Sequence, residues 1–276
     1  MDKIKTTHVG SLPRSKKLSE ILFKKDKNEV FDQLELDKII EEDVNKIVKK
    51  QIDIGIDIIS DGEMSKISYA TYVKDRLHGF SGESERRAPK DLDDFPSYKE
   101  KIAKSGGTPT YTRPCCTADL KIKDTKSLTT DISNLKSALK KNNHSHGFIN
   151  SASPGVISNF LPNKFYKNDD DYLQALSKIM KTEYDEITKN DLFLQIDCPD
   201  LALARHMTFK NVSDEEFLVR AERQIECLNE AIKDIDASKL RMHICWGNYE
   251  GPHIHDIGLE KILPIALKAV SYTHLT

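Results

Sequence analysis

The sequence predicts an α/β fold, specifically a (β/α)8 TIM barrel, on three observations. Short apolar runs alternate with amphipathic helical stretches along the chain. Each apolar run ends in polar residues, as the strands of a parallel sheet do at the end that carries the site. No G-x-G-x-x-G follows the first strand and no Walker-type phosphate loop occurs, which sets the barrel ahead of a doubly wound open sheet.

Taken in order, residues 6–11 read as a first strand entering a loop. Residues 36–54 read as a helix, with Ile39, Ile40, Val44, Ile47 and Val48 on one face and Gly55 closing it. A second strand covers residues 56–63. The stretch from about 78 to 116 is polar, rich in Gly, Pro and charge, and without period; it reads as an excursion between barrel elements, a lid being one use for it. A strand is expected over 118–122, a helix over 131–141, and a strand running into a small-residue loop over 147–155. A helix over 169–188 and a strand over 192–197 follow. Ser213 and Glu216 form a capping-box pattern for a helix over 213–233. A strand over 240–245 and a helix over 259–269 complete the domain, placed at residues 1–269. The last seven residues, 270–276, have no helical period and read as a non-native tail on a barrel cut short at its C-terminal end.

The chain has 276 residues with 42 basic and 44 acidic side chains, a formal net charge of −2. That balance excludes a dedicated nucleic-acid binder, which needs a basic face. The lysine pairs at 16–17, 24–25, 49–50 and 140–141 are interspersed with acids and read as solvated surface. No apolar run reaches membrane-spanning length, and the polar start Met1-Asp2-Lys3-Ile4-Lys5 has no signal-peptide core, so no membrane partner is expected. Five cysteines in a chain this long make no disulfide framework and suit a reducing, cytoplasmic setting.

The polar residues at the strand ends are His8, Ser11, Asp61, Glu63, Ser153, Asp197, His243 and Cys245. His243 and Cys245 are two apart on an expected strand, so they share a face and can hold a soft or borderline metal, with Zn²⁺ the best match. A buried Cys beside a satisfied His is the bland alternative. Cys198, the adjacent Cys115 and Cys116, and the helical Cys227 read as packing. His253 and His255 share a face if extended, as a pocket edge or an adventitious metal site.

Four motifs in order, His8-Val9-Gly10-Ser11-Leu12-Pro13-Arg14, Ile59-Ser60-Asp61-Gly62-Glu63, Gln195-Ile196-Asp197-Cys198-Pro199 and His243-Ile244-Cys245-Trp246-Gly247-Asn248-Tyr249, resemble the catalytic domain of cobalamin-independent methionine synthase and its single-domain relatives, the epoxyalkane:coenzyme M transferases among them. The resemblance runs from about residue 5 to residue 269. It implies a TIM barrel whose catalytic zinc binds the acceptor thiol, with His243 and Cys245 as zinc ligands. It implies that Ser11 contacts an amino-acid acceptor and that Glu63 and Asp197 hold its amino group. His8 and Arg14 join the expected substrate contacts, each with a packing or surface role as the alternative. The implied reaction is methyl transfer from a methyltetrahydrofolate-type donor to the thiol of homocysteine, giving methionine.

Two departures qualify that expectation. The large amino-terminal duplicate domain that helps the synthase bind polyglutamated folate has no room here, which leaves the methyl donor open. The family's remaining zinc ligands come from strands after the H-x-C strand, and the chain stops about thirty residues past Cys245. Two other readings stay in play. One is zinc-dependent alkyl transfer to another thiol such as coenzyme M, with Arg14 or Arg205 facing its sulfonate. The other is an inactive fragment lacking a complete metal site. The barrel of uroporphyrinogen decarboxylase is a further scaffold relative, but it needs no H-x-C pair.

Overall fold

The computed structural model describes residues 4–85, 88–104, 111–247 and 251–269. The expected tail at 270–276 and the motif residues Asn248 and Tyr249 lie outside the described residues. Helix α1 (Lys16–Asp26) starts at Ser15, whose hydroxyl accepts from the Leu18 amide at 3.3 Å. It buries Leu18, Ile21 and Leu22 at helical spacing. The sequence reading sees only the surface lysines within it and misses this helix. Helix α2 (Gln33–Asp53) is capped by Asp32, which accepts from the Leu34 and Glu35 amides. Gly55 lies just past its end with φ +86°, a conformation glycine adopts without strain.

The first strand is shorter than expected. Over residues 6–11 the chain makes one parallel bridge, Thr7 to Ile58. The second, β1 (Ile59–Ser60), stops after two residues because the chain turns at once. Gly62 and Glu63 both have positive φ, +68° and +56°, which no extended strand tolerates.

The excursion has structure of its own. It contains α3 (Val73–Arg76), β2 (Leu77–Ser81), α4 (Asp91–Asp94), α5 (Pro96–Lys104) and β3 (Cys115–Ile122). Strands β2 and β3 pair with each other, antiparallel, in a separate two-stranded sheet. The strand expected over 118–122 therefore belongs to this two-stranded sheet and is no part of the barrel. Polar residues on its exposed face hide its period from the sequence.

Helix α6 (Lys126–Lys141) leads to β4 (Gly147–Ala152), and the expected loop after it is helix α7 (Pro154–Phe160). Ser153 caps α7 by accepting from the Val156 amide at 2.9 Å, and Pro154 occupies its first turn. Helix α8 (Asp169–Lys189), β5 (Phe193–Asp197), the short α9 (Leu203–His206), α10 (Asp214–Ile232), β6 (Leu240–His243) and α11 (Leu259–Ala266) complete the described chain. The capping box read at Ser213 and Glu216 is formed at the start of α10.

Strands β1, β4, β5 and β6 form one parallel sheet in that order. Their register puts Asn150 opposite Gln195, Gln195 opposite Arg241 and Asp197 opposite His243. Because side chains alternate along a strand, Phe148, Asn150, Gln195, Asp197, Arg241 and His243 share the concave face. Ile149, Leu194 and Ile196 point the other way and are buried beneath the helices. Arg241 on the last strand donates to the Thr7 hydroxyl on the first at 3.1 Å. The sheet therefore curls as a barrel wall does, with the residues of its interior meeting across it. Among the described residues no helix is long and apolar enough to cross a membrane.

Outside the sheet, buried charges tie helices to strands. Arg76 of α3 donates to Asp131 of α6 at 2.6 Å and to Glu183 of α8 at 2.8 Å. Glu183 also accepts from Ser151 of β4 at 2.7 Å and from the Tyr72 hydroxyl. Burial alone would push the Glu183 carboxyl up, but Arg76, Lys66 and these hydrogen bonds bring it below its ordinary value.

Candidate functional site at the strand ends

The turn after β1 carries the first acid. Asp61 accepts from the Glu63 amide at 2.9 Å, and the Gly62 amide donates to the Ser60 hydroxyl at 3.2 Å. Gly62 lets the chain reverse, and Glu63 follows in a left-handed conformation that costs a non-glycine residue energy. Two contacts hold that turn from the N-terminal loop. The Leu12 amide donates to the Gly62 carbonyl at 3.1 Å. Arg14 donates through Nη2 to the Glu63 and Lys66 carbonyls at 2.7 and 2.5 Å. The loop bearing His8, half-buried, and Ser11, exposed, is thereby fastened beside Glu63.

The second acid, Asp197, ends β5 and is 4 % exposed. Both its oxygens are engaged from the concave face: Asn150 donates to Oδ2 at 2.7 Å and Gln195 to Oδ1 at 2.8 Å. Arg241 in turn donates twice to the Gln195 side-chain oxygen Oε1, at 3.0 and 2.7 Å, and stacks 3.5 Å above the Phe148 ring. Asn150 is fixed from the other side by Lys66, a fully buried lysine that donates to its backbone carbonyl and to Oδ1. Lys66 also lies 4.6 Å from the centre of the Tyr72 ring.

These neighbours set the charge of the site. Burial, with Asp197 and Asp61 adding to it against Lys66 and Arg14, pushes the Glu63 carboxyl up to about 7. Near neutrality Glu63 is therefore divided between its protonated and ionised forms, and an entering cation favours the ionised one, the proton passing to solvent. Among the described residues no hydrogen bond reaches its carboxylate. Burial pushes Arg241 down to about 10, Asp197 opposing.

The pair at the end of β6 is arranged differently from expectation in one respect. His243 is the last residue of the strand, and Cys245 lies two residues past it, where its carbonyl accepts from the Leu203 amide at 3.2 Å. Burial keeps the His243 imidazole below its ordinary pKa despite Asp197, so a lone pair is available for a metal. Burial raises the Cys245 thiol, which a divalent cation would have to deprotonate on binding. A neutral imidazole and a thiol, both half-buried, are donors of the kind zinc takes, so these residues fit that ion. Tyr69 stands near both Cys245 and Asp197; burial first, then the charge of Cys245, keeps its phenol protonated.

The other cysteines pack. Cys115, Cys116, Cys198 and Cys227 are buried and all five are free. A separate group, His206, His253 and Asp256, brings its ligand-capable atoms within 4.8 Å of one another. Sequence reading singles out His253 but neither of its partners, because His206 and Asp256 come from different segments. It also misses Asn150, Lys66 and Arg241; a period of two counted back from His243 along its strand finds Arg241, while Asn150 is placed by its register opposite Gln195 on the neighbouring strand.

The fold is a (β/α)8-type barrel scaffold with acids, an imidazole and a thiol gathered at the strand ends, which is the class of barrel whose chemistry sits at that end. Residues 4–259 match the family described as the catalytic domain of cobalamin-independent synthase, and the chain belongs to that family. It is 26 % identical over 271 residues to methionine synthase of Sulfolobus acidocaldarius, covering 97 % of this chain and 69 % of that protein. It is 25 % identical over 273 residues to methionine synthase of Saccharolobus solfataricus, covering 98 % and 71 %. Among solved structures, a putative vitamin-B12 independent methionine synthase from Listeria monocytogenes superposes with a TM-score of 0.60 at 20 % identity, covering 90 % of this chain and 68 % of that one. A B12-independent methionine synthase from Shewanella sp. W3-18-1, in complex with selenomethionine, gives 0.58 at 19 % identity, covering 80 % of this chain. The chain spans 56 % of that protein's length. Likeness at this identity is likeness of fold.

Proposed function

We propose that this chain carries out zinc-dependent methyl transfer to the thiol of homocysteine, giving methionine, without cobalamin. The observation that carries the reading is the meeting of two buried acids, Glu63 and Asp197, beside His243 at one end of the sheet. A primary ammonium is the ligand such a pair favours, and its arrival stabilises the charged form of Glu63. Asn150 and Gln195 hold Asp197 in one orientation, and Arg241 holds Gln195. Ser11 and His8, on the loop fastened to the Glu63 turn, line the approach of the acceptor. His243 and Cys245 would hold the zinc, which when bound lowers the pKa of an acceptor thiol so that it is a thiolate at neutral pH. The methyl donor is of the methyltetrahydrofolate type in this reading.

The geometry disfavours a sulfonate acceptor such as coenzyme M. Arg14 is engaged with backbone carbonyls of the Glu63 turn. Arg205 donates to Asp214 at 2.7 Å and to the Phe209 carbonyl at 3.1 Å. The Arg205 guanidinium is thus committed to Asp214 and Phe209, and Arg14 Nη2 to the Glu63 turn.

The deciding experiment compares zinc content and homocysteine methylation in the wild type, His243→Ala and Cys245→Ser. Loss of about one equivalent of zinc, together with loss of activity, in both variants is the expected result. Zinc content and activity both unchanged from the wild type in each variant would overturn the assignment.

A further inference from the structure

We propose that His206, His253 and Asp256 form a second divalent-metal site, separate from His243 and Cys245, that takes a borderline cation of the zinc type. His206 closes α9 and is fully buried, while His253 and Asp256 belong to the segment after Gly251. The three donor atoms already converge. His206 Nδ1 lies 2.7 Å from Asp256 Oδ1, and His253 Nδ1 lies 3.0 Å from Asp256 Oδ2. Two ligands about 2.1 Å from one tetrahedral ion stand roughly 3.4 Å apart. Each His–Asp pair therefore needs only a small expansion, and all three donors already lie within 4.8 Å of one another. Two imidazoles and one carboxylate are a donor set for late first-row divalent ions, with further positions left for water.

The ligands are held by contacts that do not use them. Asp91, fully buried, accepts from the Ile254 and His255 amides at 2.8 and 3.0 Å, fixing the two residues that follow His253. The Trp246 indole donates to the Ile257 carbonyl at 2.7 Å, fixing the residue after Asp256. The Lys90 amide donates to the His206 carbonyl at 2.9 Å, so α4 packs against the same group. A loop pinned between its ligands loses little freedom when a metal arrives. Charge also balances: Asp256 and Asp91, whose field reaches His206, together neutralise a dication. His253, at 33 % side-chain exposure, leaves a path for entry. Bound there, the ion would fasten the segment that follows Cys245 to α9 and to the excursion.

The test uses the full chain, stripped with chelator and reloaded with Zn²⁺. In a His243→Ala/Cys245→Ser background the expected result is about one retained equivalent of zinc, lost on adding His253→Ala. Because that background removes the pair assigned to the reaction, the result does not depend on whether the proposed activity is right. A folded background variant that holds no zinc would overturn the site, the three residues then being a hydrogen-bonded His–Asp–His cluster only. Zinc that persists after both His253→Ala and Asp256→Asn would overturn it equally. Should the background variant fail to fold, the wild type decides: about two equivalents falling to one in His253→Ala supports the site, and no change on that substitution refutes it.

Discussion

Asp197 and His243 stand at the same register on neighbouring parallel strands, and the Cys198 amide donates to the His243 carbonyl at 2.7 Å just beyond them. The acid expected to hold an ammonium and the imidazole expected to hold a metal are thus spaced by the strand ladder itself. A ligand bridging them meets a fixed separation, with no loop to adjust it. The adjustable partner is Glu63, which sits on a turn.

Orientation of Asp197 falls to Asn150. Asn150→Ala removes the 2.7 Å hydrogen bond to Oδ2 and one of the two acceptors for Lys66, while leaving the backbone carbonyl in place. A hydrogen bond to a charged group contributes about 1.5–3 kcal/mol, so KM for the amino-acid acceptor should rise roughly 10- to 100-fold. Turnover at saturation should change much less. Steady-state kinetics on the two proteins checks the split.

How much of this was readable in the sequence follows from range of interaction. The helices α2, α8 and α10 were legible because caps and apolar stripes are local, as at Ser213 and Glu216. The strand ends were legible because an acid after an apolar run marks Asp197 as well as it marks Glu63. The pairing of β2 with β3 was hidden, since it joins residues about forty positions apart and one of its faces is polar. Lys66 was hidden for a related reason: nothing near it in sequence distinguishes a lysine reaching Asn150 from one in water. The Arg241–Thr7 contact closes a span of 234 residues and exists only once the sheet has curled.

The Glu63 carboxyl, raised from 4.5 to about 7, makes a pH prediction with a definite sign. A group that holds its proton more tightly when folded contributes stability that is full below pH 4.5 and lost as pH rises through about 7. Glu63→Gln removes this titration. Relative to that variant, the wild type should lose stability between these limits, measured by urea unfolding at several pH values. Acceptor binding should run the other way, weakening below pH 7 as the carboxyl protonates, and the same titration should be missing from Glu63→Gln. A flat difference between the two proteins across this window would refute the assignment.

Arg76 is the shared partner of two buried carboxylates, Asp131 and Glu183. Arg76→Leu leaves both without their counter-charge in a region closed to water. Breaking a buried pair from one side costs about 3–5 kcal/mol, so a large fall in the urea midpoint is expected. Adding Asp131→Asn and Glu183→Gln to Arg76→Leu should recover part of that loss, since no uncompensated charge then remains. No recovery would mean that packing, not charge, dominates the site.

Two glycines should respond to alanine for different reasons. At Gly55 a Cβ meets nothing within 4 Å, so Gly55→Ala is limited to the strain of φ +86°, about 1 kcal/mol. At Gly155, in the first turn of α7, a Cβ would lie 2.0 Å from Asp200 Oδ2 and 3.0 Å from Gln224 Cδ. Neither neighbour can swing clear easily. Asp200 is buried and accepts from the Ser153 hydroxyl at 2.8 Å, and Gln224 is buried in α10. Gly155→Ala must therefore displace α7 or Asp200, at about 1–3 kcal/mol by overpacking. Combining Gly155→Ala with Asp200→Ala removes the obstructing carboxyl and also its bond to Ser153. If the clash is the cause, the double variant should be more stable than the sum of the two single losses, and thermal unfolding of the four proteins measures that coupling.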